Sequence, residues 1–345
     1  MFQAVWLLLA VLLSLAPVAH SWTLFTSMSF LVEFLSEGGW RPLSLITPDV
    51  SARPLRASAV PADLYTRASF APLPGLVLVH GLSPRGKDDP RLREAASLLA
   101  RAGWAVAVPT VDGLTVLRLR PGDALAVVET VEALQRSRHA PVAILAVSVG
   151  AGPALLAAAH PSVSSSLSAV LALGGYASSV ELLRYTLTGA YRFEGDGGRR
   201  PVNEEAIALF VRANAELVDA MGRRLVENRD PQAVDGLVQA LPAETRRLLA
   251  DLSPSTHLTG LRAPLFLIHG RDDPAVPFTE TLRLERAARA AQRRVTVAIV
   301  GSLAHVEPEE RAGPVDLGRL AAAFYAFATT ARAPRAALTW AGRAP

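Results

Sequence analysis

The sequence predicts an α/β protein in which a mostly parallel central sheet carries helices on both faces and an inserted helical cap. Three observations carry that expectation. From about Arg41 onward, short apolar runs of strand length alternate with helical stretches. After Tyr176 the alternation stops for about eighty residues of helical pattern and then resumes. The 345 residues are 50% hydrophobic and 19% charged, enough apolar material for one large core.

Before that alternation, no side chain from Met1 to Val32 is formally charged, and residues 2–18 are nearly continuous Leu, Val and Ala. The run suits a signal-peptide core and is marginal for a membrane span. Ala19-His20-Ser21 offers small residues for cleavage, whereas residues 25–35 are apolar again, so a cleaved signal and an uncleaved anchor both stand. The expected division is residues 1–40 as signal or anchor, 41–330 as the α/β domain and 331–345 as a loose tail. A membrane-anchored or exported protein follows, or a cytoplasmic one if the start is mis-assigned. A chain starting near Arg41 is expected to stay soluble and active.

Residues 76–80 read as a buried strand, and Asp89-Pro90 starts a helix to about residue 102: the carboxylate accepts a free N–H, and proline loses nothing in the first turn. Strands follow at 104–108, 142–147 and 169–173, with helices at about 123–138 and 150–160 between them. Helical patterns at 204–226, 232–240 and 243–251 fill the insertion, about 177–258. Strands resume at 265–269 and 295–300, and a last helix runs over about 315–328. An insertion at this place is expected to cap the carboxyl ends of the strands, where such sheets bind ligands. The cap aromatics Tyr176, Tyr185, Tyr191, Phe193 and Phe210 read as packing residues before pocket residues.

Composition excludes several chemistries. With no cysteine there is no disulfide scaffold, thiolate zinc site, iron–sulfur cluster or cysteine nucleophile. The net charge of +4 suggests nucleic acid only until one sees that Lys87 is the sole lysine and that the arginines are scattered among 31 acidic residues. A dinucleotide loop starting at Gly150 fails at Leu155, where a third glycine is required.

Ala146-Val147-Ser148-Val149-Gly150 lies where a strand turns into a helix. A serine on so sharp a turn needs small residues two before and two after it, because those backbones are driven against neighbouring elements. Acyl transfer also needs two N–H donors aimed at the developing oxyanion, one following the nucleophile and one after an upstream strand. Val149 and Leu82, in Val79-His80-Gly81-Leu82, fit those places, with His80 as a structural histidine under the loop.

Two later stretches complete the set. Ile268-His269-Gly270-Arg271-Asp272-Asp273-Pro274-Ala275-Val276-Pro277 ends one strand, and Gly301-Ser302-Leu303-Ala304-His305 follows the next. With these motifs the chain resembles the α/β-hydrolase superfamily over about residues 77–328, and around residues 81–90 it looks most like dienelactone-hydrolase-like members. The resemblance implies the α/β-hydrolase fold, with Ser148 as nucleophile, Asp273 as acid and His305 as base, in the chain order such enzymes require. Asp272 is then the solvated neighbour of the acid. A serine needs an imidazole to take its proton, and the imidazole needs a carboxylate to hold its tautomer and its cation. The implied activity is hydrolysis of a carboxylic ester, thioester or lactone through an acyl-serine, with no cofactor and no metal. A peptidase or amidase using the same triad, and a catalytically silent binding module, stand as alternatives. The implied partner is a small-molecule ester, with membrane contact through the N-terminal segment and no nucleic acid.

Overall fold

A computed structural model of the chain describes residues 18–56, 58–137, 139–217, 219–301, 303–304, 307–308 and 313–333. Helices α1 (Val18–Leu35) and α2 (Pro42–Ile46) precede strands β1 (Val50–Pro54) and β2 (Ala62–Arg67). Then come β3 (Gly75–Val79), α3 (Pro90–Arg101), β4 (Ala105–Pro109), α4 (Asp112–Thr115) and α5 (Asp123–Arg136). They are followed by β5 (Val142–Val147), α6 (Ala151–Ala159), α7 (Pro161–Ser164) and β6 (Leu167–Leu173). The insertion contributes α8 (Ser179–Thr188), β7 (Ala190–Phe193), β8 (Asp196–Arg199), α9 (Glu204–Ala213), α10 (Ala220–Val226), α11 (Val234–Gln239) and α12 (Ala243–Asp251). The chain returns through β9 (Leu265–Gly270), α13 (Thr279–Ala290), β10 (Val295–Val300), the short strands β11 (Leu303–Ala304) and β12 (Glu307–Pro308), and α14 (Pro314–Arg332).

Eight strands form one sheet in the order β1-β2-β4-β3-β5-β6-β9-β10. Only β2 runs against its neighbours; the remaining pairs are parallel. Because β4 and β5 lie on opposite sides of β3, the winding reverses there, and the carboxyl ends of β3 and β5 flank a crevice of the kind in which open α/β sheets bind ligands. Both sheet faces are buried, which is why these strands read as unbroken apolar runs. Val77, Val79, Ile144 and Ala146 face a core shared with α5, α6 and α13. Leu76, Leu78, Ala143 and Leu145 face a second core shared with α1, α3 and α14.

The helix after β3 starts as the sequence predicts, with Asp89 accepting the N–H of Arg91 at 3.0 Å and Pro90 in the first turn. The insertion departs from expectation, since it is not wholly helical. Strands β7 and β8 form a hairpin whose central residues, Glu194 (φ 48°) and Gly195 (φ 97°), both have positive φ, the type I′ geometry that matches strand twist. Around it the insertion builds its own small core from Leu187, Ile207, Leu225, Val234, Val238 and Leu241.

The N-terminal helix joins the second core. Phe30 stacks on Phe324 of α14, with ring centroids 4.9 Å apart. Glu33 is buried and accepts the backbone N–H of Leu43 (3.0 Å) and Ser44 (3.2 Å), together with the Ser44 hydroxyl, so it caps α2. Among the described residues, no helix is long and apolar enough to cross a membrane. Residues 1–17 of the expected leader and residues 334–345 of the expected tail lie outside the described residues.

Candidate active site

Ser148 stands at the carboxyl end of β5 with φ 56°, a left-handed conformation that non-glycine residues rarely adopt. Such a position is held only when its surroundings overdetermine it, and here steric fit does so. A Cβ at Gly150 would lie 2.1 Å from the carbonyl oxygen of His80, so only glycine lets the elbow approach the β3 loop. Ala146, where the family pattern often has glycine, is fully buried in the core behind the turn. Beyond the elbow, a Cβ at Gly152 would meet the Tyr176 hydroxyl at 2.3 Å. That hydroxyl donates to the Leu252 carbonyl (2.9 Å), and burial holds the phenol far above its ordinary value.

The loop after β3 faces the serine. A Cβ on Gly81 would sit 3.0 Å from the Ser148 Cβ and 3.4 Å from its Oγ, so Gly81-Leu82 runs directly past the hydroxyl. Val149 is buried in the turn just before α6, whereas Leu82 is 46% exposed. His80 fixes this loop. Its Nε2 accepts the N–H of Val111 (3.0 Å), so the proton sits on Nδ1, which donates to the Gly81 carbonyl (2.7 Å). Burial pushes the imidazole below its ordinary value, against the raising effects of the Gly81 carbonyl and Asp89. His80 is therefore a neutral strut, as its sequence context suggests.

The two adjacent aspartates after β9 part company. The side chain of Asp273 is fully buried, and that of Asp272 is 79% exposed, 3.7 Å from Arg200. The Asp273 Oδ1 accepts the N–H groups of Ala275 (2.8 Å) and Val276 (2.9 Å), which closes the turn. Its Oδ2 lies 3.3 Å from Nε2 of buried His269. That nitrogen carries the proton, because its nearer partner is the Val276 carbonyl (2.9 Å), while Nδ1 faces the Thr281 hydroxyl (2.7 Å).

His305 lies outside the described residues. The strand that leads to it is placed: a Cβ on Gly270 would lie 2.0 Å from the carbonyl oxygen of Leu303, so β11 rests on the carboxyl end of β9, three residues before Asp273. The structure thus brings Ser148, the residue before Val149, against Gly81, the residue before Leu82, at the β3–β5 crevice. It sets Asp273 one strand beyond β6, at the same end of the sheet. Among the described residues, no group of three or more His, Cys, Asp or Glu side chains is arranged to hold a metal ion.

Against known proteins, neither a family model nor a curated sequence matches the chain. Solved structures do. An acylaminoacyl peptidase of Pyrococcus horikoshii superposes with a TM-score of 0.50 at 16% identity, over 76% of this chain and 38% of that one. Dipeptidyl peptidase 4 of Porphyromonas gingivalis gives 0.51 at 13% identity, over 81% and 36%. A puromycin hydrolase gives 0.51 at 15% identity, over 82% and 39%. The chain has the α/β-hydrolase fold. It spans less than two fifths of the length of each of those three proteins, so the likeness is one of fold.

Within the α/β-hydrolase fold, the loop after β9 that carries Asp273 holds what sequence reasoning missed. His269 ends β9 in an Ile-His-Gly run that parallels Val79-His80-Gly81 at the end of β3, a repeat visible in the sequence. Arg200 and Tyr185 of the cap reach the same loop. Glu280, on α13, accepts the N–H groups of Ala177 and Ser178 (both 2.9 Å) and pairs with Arg283 (3.0 Å), which ties the start of the insertion to the fold. Burial pushes its carboxyl above the ordinary range.

Proposed function

We propose that the chain is a serine hydrolase that transfers an acyl group from a carboxylic ester to Ser148 and then to water. The observation that carries this reading is Ser148 itself: a left-handed serine at the topological switch point, with the Gly81 backbone so near that a Cβ there would lie 3.0 Å from the Ser148 Cβ and 3.4 Å from its Oγ. Strain of this kind, about 1–3 kcal/mol, is retained where it serves a site. In the proposed reaction His305 takes the hydroxyl proton while Oγ attacks the carbonyl carbon. The N–H groups of Leu82 and Val149 stabilise the oxyanion, and the proton then leaves with the alcohol. Asp273 holds the imidazole tautomer and its cation, and water repeats the sequence to release the acid.

A second reading, a peptidase or amidase on the same residues, is favoured by the acylaminoacyl peptidase and dipeptidyl peptidase 4 among the fold's neighbours. One assay separates the readings. Separate samples of wild type and Ser148→Ala are either labelled with a fluorophosphonate or, unlabelled, given a p-nitrophenyl ester and a peptide p-nitroanilide. Labelling of wild type alone, with ester turnover exceeding anilide turnover, is the expected result. Equal labelling of both proteins would end the serine-hydrolase reading.

A further inference from the structure

The loop that carries Asp273 is held from outside the sheet. Arg200, the residue after β8, donates through Nη1 to the carbonyls of Asp272 (2.8 Å) and Asp273 and through Nη2 to that of Arg271 (3.1 Å). From α8, the Tyr185 hydroxyl donates to the next carbonyl, that of Pro274, at 2.8 Å. Four consecutive carbonyls of the acid loop therefore end on two cap side chains. The N–H side of the same turn ends on the Asp273 carboxylate itself, through Ala275 and Val276. The two sets are complementary: the cap fixes the backbone, and the backbone fixes the carboxylate.

Arginine suits this task because its planar fork presents five donors and no acceptor, so one side chain can span several carbonyls. Its own position is fixed as well. The Arg200 N–H donates to the Gly189 carbonyl (2.9 Å), and a Cβ on Gly189 (φ 70°) would lie 2.0 Å from the Arg200 carbonyl oxygen, so the end of β8 sits hard against the end of α8. The guanidinium lies over the Tyr191 ring at 5.6 Å, and Tyr191 meets Tyr185 and Phe278 edge to face. The ion pair with Asp272 adds little, because that carboxylate is 79% exposed and 3.7 Å away.

We propose that Arg200 and Tyr185 are positioning residues through which the cap sets the place of Asp273, so that acyl transfer at Ser148 proceeds only while the cap is seated on the acid loop. This rests on the serine-hydrolase reading, and it makes the cap part of the acid's support as well as a roof over the substrate. A substrate that seats the cap thereby completes the site that consumes it.

The test uses the full chain with Arg200→Ala, Arg200→Lys, Tyr185→Phe and Asp272→Asn. Three quantities are read: the fluorophosphonate labelling rate, kcat and KM on p-nitrophenyl acetate, and hydrogen exchange of the Ala275 and Val276 amides. For Arg200→Ala, labelling rate and kcat should fall together by about tenfold to a hundredfold, the usual effect of a small misplacement, while KM on this small ester holds. The two amides should exchange faster. Lysine should restore little, since one ammonium cannot span three carbonyls. Tyr185→Phe should lose about fivefold, one hydrogen bond's worth, and Asp272→Asn should match wild type. A rise in KM alone, or wild-type exchange at both amides in Arg200→Ala, would overturn the proposal. Should Arg200→Ala fail to fold, the lysine and Tyr185→Phe proteins decide it by the same criteria. Absence of labelling in wild type would instead count against the hydrolase reading, and the exchange comparison would still show whether Arg200 holds the loop.

Discussion

The nucleophile elbow and the acid loop sit at the same end of one sheet, yet they are held by opposite means. At the elbow, Ser148 is forced into place by close backbone approach: Gly150 against His80, Gly81 against Ser148, Gly152 against Tyr176. No ion pair takes part in those three contacts. At the acid loop the grip is polar: Arg200 and Tyr185 reach it from far along the chain, and His269 from four residues away. Steric fixation resists small movements but fails outright when a methyl is added. A polar clamp can be released and remade. On the proposed reading, Ser148 is then the fixed point of the site, and Asp273 is the part that can respond to the cap.

The largest effect expected is at the acid. Asp273→Asn should lower kcat by about ten-thousandfold, as loss of the carboxylate that orients a catalytic imidazole does, while leaving fluorescence-monitored unfolding cooperative. Steady-state kinetics on an activated ester checks this, and near-normal turnover would remove Asp273 from the acid role. Next comes the elbow. Gly150→Ala places a methyl 2.1 Å from the His80 carbonyl, and the resulting shift should cost about 1–3 kcal/mol, read as a lower urea midpoint, with loss of labelling at Ser148. If alanine is accepted without change, steric fixation is the wrong account of the elbow.

A smaller effect is expected at the exposed neighbour: Asp272→Asn should leave turnover close to that of wild type, because a solvated charge contributes little. The smallest is visible only in acid. The charged form of His80 is penalised by burial in the folded chain, so as pH falls the unfolded chain takes up the proton first. Its contribution to stability is complete above the ordinary histidine value of about 6.5 and is lost as pH falls from there towards the lowered folded value. Urea midpoints between pH 8 and 5 should show a steeper decline for wild type than for His80→Gln. Parallel curves would mean that the imidazole stays neutral or charged in both states.

Much of this was legible in the sequence because it is written in side-chain size and polarity. Buried strands such as β5 and β9 are apolar on both faces and stand out as runs. The elbow announces itself through small residues at fixed spacing. Three features escaped for physical reasons. Strand β1 is an edge strand, mostly exposed, with a proline at its end, so no apolar run marks it. The cap hairpin turns on Glu194-Gly195 in place of the Asn-Gly or Asp-Gly that signals a type I′ turn. The Arg200 clamp ends on backbone carbonyls, which every residue possesses, so no residue type at positions 271–274 reveals it.

The pairing of α1 with α14 bears on the order of events during synthesis. Phe30 and Phe324 are partners separated by about 290 residues. At the usual elongation rate, α1 leaves the ribosome roughly 15–60 s before the helix that covers it. Throughout that interval the face of α1 that meets α14, including Phe30, lacks this partner, while α2 and α3, which emerge soon after α1, already supply part of its cover. The first helix described in the chain is thus completed by the last, and closing that contact is a late event of folding.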